Sequence, residues 1–145
     1  MAEFTYNAVQ TVNYNEGAVL ETTIACPNGY VRLDPGTGTI ILRGVSNNPC
    51  ARFARYFIIA GSNIAIPTGG TIGEISQSLA LAGTPIQPSK AATTPTAVAQ
   101  FNNVTSFRYI DVPIGCCYFF SVENTSETAA PILMRNLNVS ISRVA

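Results

Sequence analysis

Alternating apolar and polar residues are clearest in the segment 104–124, which is interrupted at Pro113, Ile114 and Gly115. A period of two in β-branched and aromatic residues predicts two strands, and the Pro–Gly interruption predicts a hairpin-like pair. Both strands carry large apolar side chains on both faces. Leaving such a side chain in water costs roughly 1.5–3 kcal/mol relative to burying it. We therefore expect one face to lie on the protein's own core and the other to contact a partner.

Shorter apolar stretches predict further strands, separated by turns that contain Gly and Pro. They lie at residues 18–25, 30–33, 39–43, 51–60, 72–82 and 132–144. The segment Asp34-Pro-Gly-Thr-Gly38 lacks the lysine and the following helix of a phosphate-binding loop, so it is interpreted as a turn. Residues 84–95 contain three prolines and are predicted to be an exposed connection.

This pattern predicts an all-β fold in a single domain. Eight to ten strands without an amphipathic helix are typical of an antiparallel β-sandwich. Long connections alternate with long strands, and both chain ends are predicted strands, which favours a jelly roll. Residues 1–15 are assigned to an N-terminal arm or edge strand, and residues 16–145 to the sandwich.

The composition indicates a subunit of an assembly. The chain has 145 residues, 47% of them hydrophobic and 11% charged, whereas an ordinary soluble domain has roughly 25% charged residues. Eight cationic and eight anionic side chains give a net charge of zero, and a weakly charged surface favours association. Because the eight cations are scattered along the chain, we expect no basic stripe and no nucleic-acid binding.

The residue types present argue against catalysis. The chain contains no histidine, which excludes a Ser-His-Asp or Cys-His site within it and removes the commonest metal ligand. A pair of carboxylates for glycoside hydrolysis would have to converge within about 10 Å in a pocket, and most acidic residues lie beside turns instead. We expect no enzyme activity, no cofactor and no metal.

The four cysteines give a weak signal. The adjacent pair Cys116 and Cys117 points to opposite faces of a strand, and no CxxC spacing occurs with Cys26 or Cys50. They are interpreted as small buried hydrophobic residues in a reducing compartment, with a disulfide involving one or two of them as the alternative. Neither a signal peptide nor a membrane-spanning segment is predicted.

Arginine and aromatic residues within the predicted strands are candidates for a subunit interface. Arginines there either cover apolar surface with their stems or pair with acidic residues of another subunit, where Arg, Tyr and Phe are enriched. On the strand after Gly115, the face that carries Tyr118 and Phe120, rather than the face that carries Phe119, is assigned to the interface. The candidates are Arg52, Arg55, Tyr56, Arg108, Tyr109, Tyr118 and Phe120.

Several turns and strand ends resemble those of small β proteins encoded by phages and prophages of gut Firmicutes. The matching segments are residues 43–47, 63–73, 112–117, 121–126 and 144–145. Those phage proteins are similar in turn to the jelly rolls of the tumour-necrosis-factor and complement-globular-head superfamily, including the carboxy-terminal domain of bacterial exosporium collagen-like proteins. The resemblance covers roughly residues 12–145.

The resemblance implies a homotrimer displayed on a particle surface, as a capsid decoration protein, head fibre or tail-associated subunit. Because the chain has no Gly-X-Y stalk and no long amino-terminal anchor, decoration is favoured. We expect a phage virion structural protein, made in the host cytoplasm and located on the virion surface. Its expected partners are the major capsid or other virion proteins, not nucleic acid or membrane. The alternative is a carbohydrate-binding or adhesin module that binds a surface glycan, which would show clustered exposed Tyr and Asn in its loops.

Overall fold

The computed structural model describes residues 2–25, 30–34, 37–44, 50–115 and 117–144. Within these residues lie twelve strands and a short 3-10 helix at Gln87–Ser89. None of the described segments is a helix long and apolar enough to cross a membrane. The strands are β1 (Ala2–Tyr6), β2 (Gln10–Val12), β3 (Thr22–Ala25), β4 (Val31–Asp34), β5 (Thr39–Arg43), β6 (Phe53–Ala65), β7 (Ile75–Leu81), β8 (Thr84–Pro85), β9 (Ala91–Thr93), β10 (Asn102–Pro113), β11 (Cys117–Asn124) and β12 (Ile132–Arg143).

The strands form two antiparallel sheets. Sheet A has the order β10-β6-β12-β1-β3, and β2 also pairs with β12. Sheet B has the order β4-β5-β11-β7-β8, and β9 also pairs with β7. The chain crosses from one sheet to the other after β3, β5, β6, β9, β10 and β11. The prediction of an all-β sandwich of the jelly-roll type is confirmed.

The core lies between the sheets and is built from every second residue of the long strands. In the first part of β6, from Phe53 to Ala60, the buried side chains are those at positions 54, 56, 58 and 60, so Tyr56 lies entirely inside. Phe4 of β1 and Phe120 of β11 are also fully buried. Each of these large side chains contributes roughly 1.5–3 kcal/mol through burial, which stabilises the contact between the two sheets.

The prediction of a hairpin at residues 104–124 is wrong. The turn at Ile114 and Gly115 carries the chain from β10 in sheet A to β11 in sheet B, and the two strands do not pair. Their buried residues belong instead to the common core between the sheets, as Val112 and Val122 do. A period of two identifies a strand and its apolar face, but it carries no information on which strand supplies the hydrogen bonds.

Segments that were expected to be irregular also take part in the sheets. Strand β6 runs on to Ala65, five residues beyond the end of the predicted strand 51–60. The proline-containing stretch 84–95 contains β8 and β9, which both pair with β7. Residues 2–6 form an inner strand of sheet A between β12 and β3. The amino-terminal segment is therefore part of the sandwich of its own copy.

A buried carboxyl group lies on β11, where Glu123 pairs with Ser78 of β7 and forms a bridge with Gly17. Glu123 is 1% exposed, and its Oε1 atom has no hydrogen-bond partner. Burial raises the pKa of this carboxyl above its ordinary value, because a charge is poorly solvated there. The folded protein therefore holds a proton on Glu123 at a pH where the unfolded chain has released it.

This raised pKa predicts a loss of stability as the pH rises. Between the ordinary pKa of a glutamate and the raised folded-state pKa, the folded state binds more protons, so the free energy of unfolding falls with pH. Glu123→Gln should raise the melting temperature at pH 8 and change it little at pH 4. The gain at pH 8 is the cost of ionising the buried carboxyl in the folded protein, which the uncharged amide does not carry. Calorimetry at both pH values measures it, with the exposed Glu21→Gln as the control. An equal effect of Glu123→Gln at the two pH values would contradict the prediction.

Candidate interaction surface

The outer face of sheet A carries a cluster of exposed apolar side chains. Phe57 lies opposite Tyr109, and Ile59 lies opposite Phe107, on the paired strands β6 and β10. The ring centroids of Phe57 and Tyr109 are 4.8 Å apart, and those of Phe57 and Phe107 are 6.5 Å apart. Phe107 and Tyr109 are each 63% exposed. We call these four residues the aromatic face.

A charged pair borders the aromatic face on one side. Arg55 donates two hydrogen bonds to the carboxylate of Asp111, from Nε at 2.7 Å and from a terminal guanidinium nitrogen at 3.0 Å. The hydrogen bond from Arg55 lowers the pKa of Asp111 below its usual value. The Arg55 guanidinium also lies 5.1 Å from the centre of the Phe53 ring. The pair is therefore ionised at neutral pH and holds its geometry at the rim.

A row of asparagines borders the aromatic face on the other side. The amide of Asn103 donates to Oδ1 of Asn63 at 3.2 Å, and the amide of Asn63 donates to Oδ1 of Asn136 at 3.1 Å. The row crosses three neighbouring strands of sheet A. An apolar centre between polar borders is the usual anatomy of a surface that binds another macromolecule.

The structure separates the predicted interface residues into three groups. Tyr109 and Arg55 lie on or beside the aromatic face. Tyr56 and Phe120 are fully buried and are not available on the surface, whereas Tyr118 is half-buried and packs against the same core. The predicted facing of β11 is reversed, because Phe119 is the exposed ring at 49%.

Arg52 and Arg108 are exposed but lie off the aromatic face. The carbonyl of Arg52 accepts a hydrogen bond from Ile114 at the turn between the sheets. Arg108 lines a cleft of about 280 Å³ between β10 and the segment Pro88–Lys90.

Sequence reasoning missed Phe57, Ile59, Phe107 and Asp111 as surface residues. A signal was present, because Phe107 and Tyr109 share the face of β10 opposite its aliphatic residues. On β6 both faces are apolar, so the alternation by itself could not decide whether Tyr56 or Phe57 points inward.

The cysteines differ from the expectation of burial. Cys50 and Cys117 are exposed, whereas Cys26 and Cys116 lie outside the described residues. In the described part of the chain, no group of three or more acidic or cysteine side chains is arranged to hold a metal ion.

One pair of carboxylates does converge. Glu74 and Glu127 both contact the ammonium group of Lys90, at 3.7 and 3.8 Å. Neither lines the cleft beside β10 or a second cleft of about 380 Å³ at the Ile66–Thr71 loop. Lys90 balances one of the two negative charges, and its own side chain lines the cleft beside β10, which the two carboxylates do not line. The arrangement is that of a surface ion cluster.

The fold of the chain matches solved jelly-roll structures, although its sequence is not similar to any protein-family model or curated protein. The Eiger tumour-necrosis-factor structure from S. frugiperda superposes with a TM-score of 0.70 at 13% identity, covering 99% of this chain and 91% of that one. The globular domain of zebrafish complement 1qA superposes with a TM-score of 0.64 at 10% identity, covering 99% and 96%. The protein therefore has the jelly-roll fold of these domains.

Proposed function

We propose that this protein is a structural subunit that associates with copies of itself through the aromatic face. The exposure of Phe107 and Tyr109 on a rigid sheet carries the proposal. Soluble monomers seldom expose a contiguous patch of this kind, whereas subunit interfaces are enriched in Phe, Tyr and Arg. The low content of charged residues supports the same conclusion.

We propose a homotrimer as the assembly. The support is the sequence resemblance to the tumour-necrosis-factor and complement-globular-head superfamily, together with the shared fold. In a cyclic trimer the aromatic face of one copy is covered by a different surface of the next copy. The edge of β10 is suited to this role, because β6 is its one strand partner among the described residues. Exposed strand edges are normally covered.

We propose that the trimer serves as a decoration subunit on a phage virion. The support is the resemblance of its turns, such as residues 63–73 and 112–117, to those of phage-encoded β proteins. Its work on the particle would be binding rather than catalysis, with the major capsid protein as partner.

Light scattering of the purified protein across a dilution series tests the self-association. The expected mass is three times that of the 15.4 kDa chain, and it should persist on dilution. A monomer at every concentration would overturn the proposal. A stable dimer would leave self-association in place and overturn the trimer.

The asparagine row supports a second candidate function, the binding of a glycan. The exposed Tyr and Asn expected of such a module are clustered here on a sheet face rather than in loops. Planar amides beside aromatic rings can hydrogen-bond and stack on a sugar. A monomer that binds a glycan array, and loses this binding with Asn63→Ala, would favour this function over the trimer.

A further inference from the structure

The unpaired carboxyl of Glu123 lies between two neighbours of different kinds. On one side is Ser78 of β7, a strand whose residues 75–80 are all buried. On the other side is Gly17, which belongs to the connection that follows β2. We call residues 13–17 the strap, and all of them are exposed. A carboxyl that is 1% exposed therefore lies beside a backbone segment that faces water.

The strap is anchored at both ends. Before it, Val12 is 2% exposed, and its carbonyl accepts a hydrogen bond from the side-chain amide of Asn124 at 2.9 Å. After it, Ala18 is 1% exposed and donates its N–H to the carbonyl of Val122 at 2.7 Å. Because both anchors are buried and bonded to β11, the residues between them form a closed loop that can open without the rest of the sandwich.

The middle of the strap is held loosely. In the described part of the chain, two backbone hydrogen bonds join it to β11. Asn15 donates to the carbonyl of Asn124 at 2.9 Å, and Asn124 donates to the carbonyl of Glu16 at 3.3 Å. The contact between the Asn13 amide and the Glu16 carboxylate, at 3.0 Å, is internal to the strap. Gly17, opposite Glu123, adds no side chain to the contact with β11.

Ionised Glu123 would lack a cationic partner in the closed structure. The other titratable groups of the elements around it are Glu16 and Tyr14 of the strap and the ion cluster of Lys90, Glu74 and Glu127. The ammonium of Lys90 already contacts both carboxylates of that cluster, and Glu16 carries the same charge as an ionised Glu123. Burial is the cause of the raised pKa of Glu123, without an ion pair to oppose it. Water would therefore have to stabilise the charge.

We propose that the strap is a pH-operated latch, closed beside Glu123 while this carboxyl carries its proton and open once the proton is lost. Opening breaks two backbone hydrogen bonds, whose net contribution is small compared with the cost of an unpaired buried charge. It also frees the N–H and the carbonyl of Asn124, so β11 gains an unpaired edge that can accept a strand of another chain. The latch lies within a single chain and does not depend on the proposed trimer.

Hydrogen exchange followed by NMR at pH 4 and pH 8 tests the latch. The amides of Asn15 and Asn124 report on the strap, since each donates across its contact with β11. The amide of Leu79, which donates to the buried hydroxyl of Ser89, reports on the sheet. The protection factors of the two strap amides should be lower than that of Leu79 at both pH values. They should also fall at least about tenfold from pH 4 to pH 8, because the opening constant rises by up to tenfold per pH unit between the ordinary and the raised pKa.

Three substitutions assign the response to a residue. Glu123→Gln keeps the shape of the side chain and removes its titration, so the protection of the strap amides should become independent of pH. Glu16→Gln is the matched control, because it removes a carboxylate from the strap itself, and it should leave the fall in protection unchanged. Lys90→Gln should leave it unchanged as well.

The remaining outcomes overturn the latch. Strap amides whose protection is the same at both pH values, or a fall that persists in Glu123→Gln, would show that Glu123 does not control the strap. Protection equal to that of Leu79 would mean that Glu123 reaches water when the whole sandwich unfolds. A fall that disappears in Glu16→Gln or Lys90→Gln would assign the response to those residues. If Glu123→Gln failed to fold, the comparison of the strap amides with Leu79 in the unsubstituted protein would still decide.

Discussion

Replacing Phe107 and Tyr109 with serine should convert the assembly into monomers that keep the fold. Both rings are 63% exposed in the single chain, so their removal leaves the core intact. The few residues that dominate an interface cluster near its centre and contribute about 2 kcal/mol or more each, and we expect these two rings to be among them. Since about 1.4 kcal/mol corresponds to a factor of ten, the double variant should weaken association by more than about 100-fold. Sedimentation equilibrium measures this change, and far-UV circular dichroism confirms that the β structure is retained.

Phe119→Ser provides the control for this experiment. Its ring is 49% exposed on the outer face of sheet B, on the opposite side of the sandwich. If association depends on the aromatic face, this substitution leaves the mass unchanged. A double variant that remains trimeric, or a control that dissociates equally well, would assign the subunit contact to another surface.

The alternation of residues predicted the strands better than their facing. On β10 the aliphatic residues Val104, Ile110 and Val112 occupy one face, so its inner side is determined by the sequence. On β11 both faces carry rings, and burial of Phe120 rather than Phe119 depends on how the strand is placed over the core. Two apolar faces of similar size leave this choice to tertiary packing.

The arginines beside Tyr30 and Tyr56 show a second limit of the sequence. Arg43 and Arg143 are separated by 100 positions, yet both lie near Tyr30 and Tyr56. Their proximity follows from the pairing order of strands and from the ends at which the strands start, which a pattern of period two does not contain. The composition contains the number of charged residues, but it does not predict where the fold places them.

The turn at Asp34–Gly38 illustrates where local sequence is informative. Thr37 donates its backbone N–H to the carbonyl of Asp34, at 3.4 Å, and its hydroxyl contacts the Asp34 carboxylate at 3.2 Å. Such side-chain contacts are the reason that Asp and Thr favour turns. The sequence identified the turn, but it gave no indication that a distant segment packs against Gly38.

Gly38→Ala should destabilise the fold more than an ordinary turn substitution. Gly38 has φ of +73°, and a Cβ atom there would lie 1.8 Å from the carbonyl oxygen of Ala18 and 2.8 Å from its carbon. These are backbone atoms, and Ala18 is held by a hydrogen bond to the carbonyl of Val122 at 2.7 Å. The segment must therefore move away, which draws the fully buried Leu20 out of the core. We expect a loss of at least about 3 kcal/mol in the free energy of unfolding, in the range of severe core damage.

Gly83→Ala isolates the clash from the backbone strain. Gly83 has φ of +80°, and nothing lies within 4 Å of a Cβ atom there. Gly83→Ala therefore introduces the strain of the left-handed backbone conformation without a steric clash. That conformation costs an alanine roughly 1–2 kcal/mol. Urea unfolding of both variants at one protein concentration, which keeps any association constant, gives the difference between them. A larger loss for Gly38→Ala shows that the turn between β4 and β5 and the segment before β3 are packed as one unit, since the strain term is common to both. Equal losses would mean that the segment at Ala18 yields without disturbing the core.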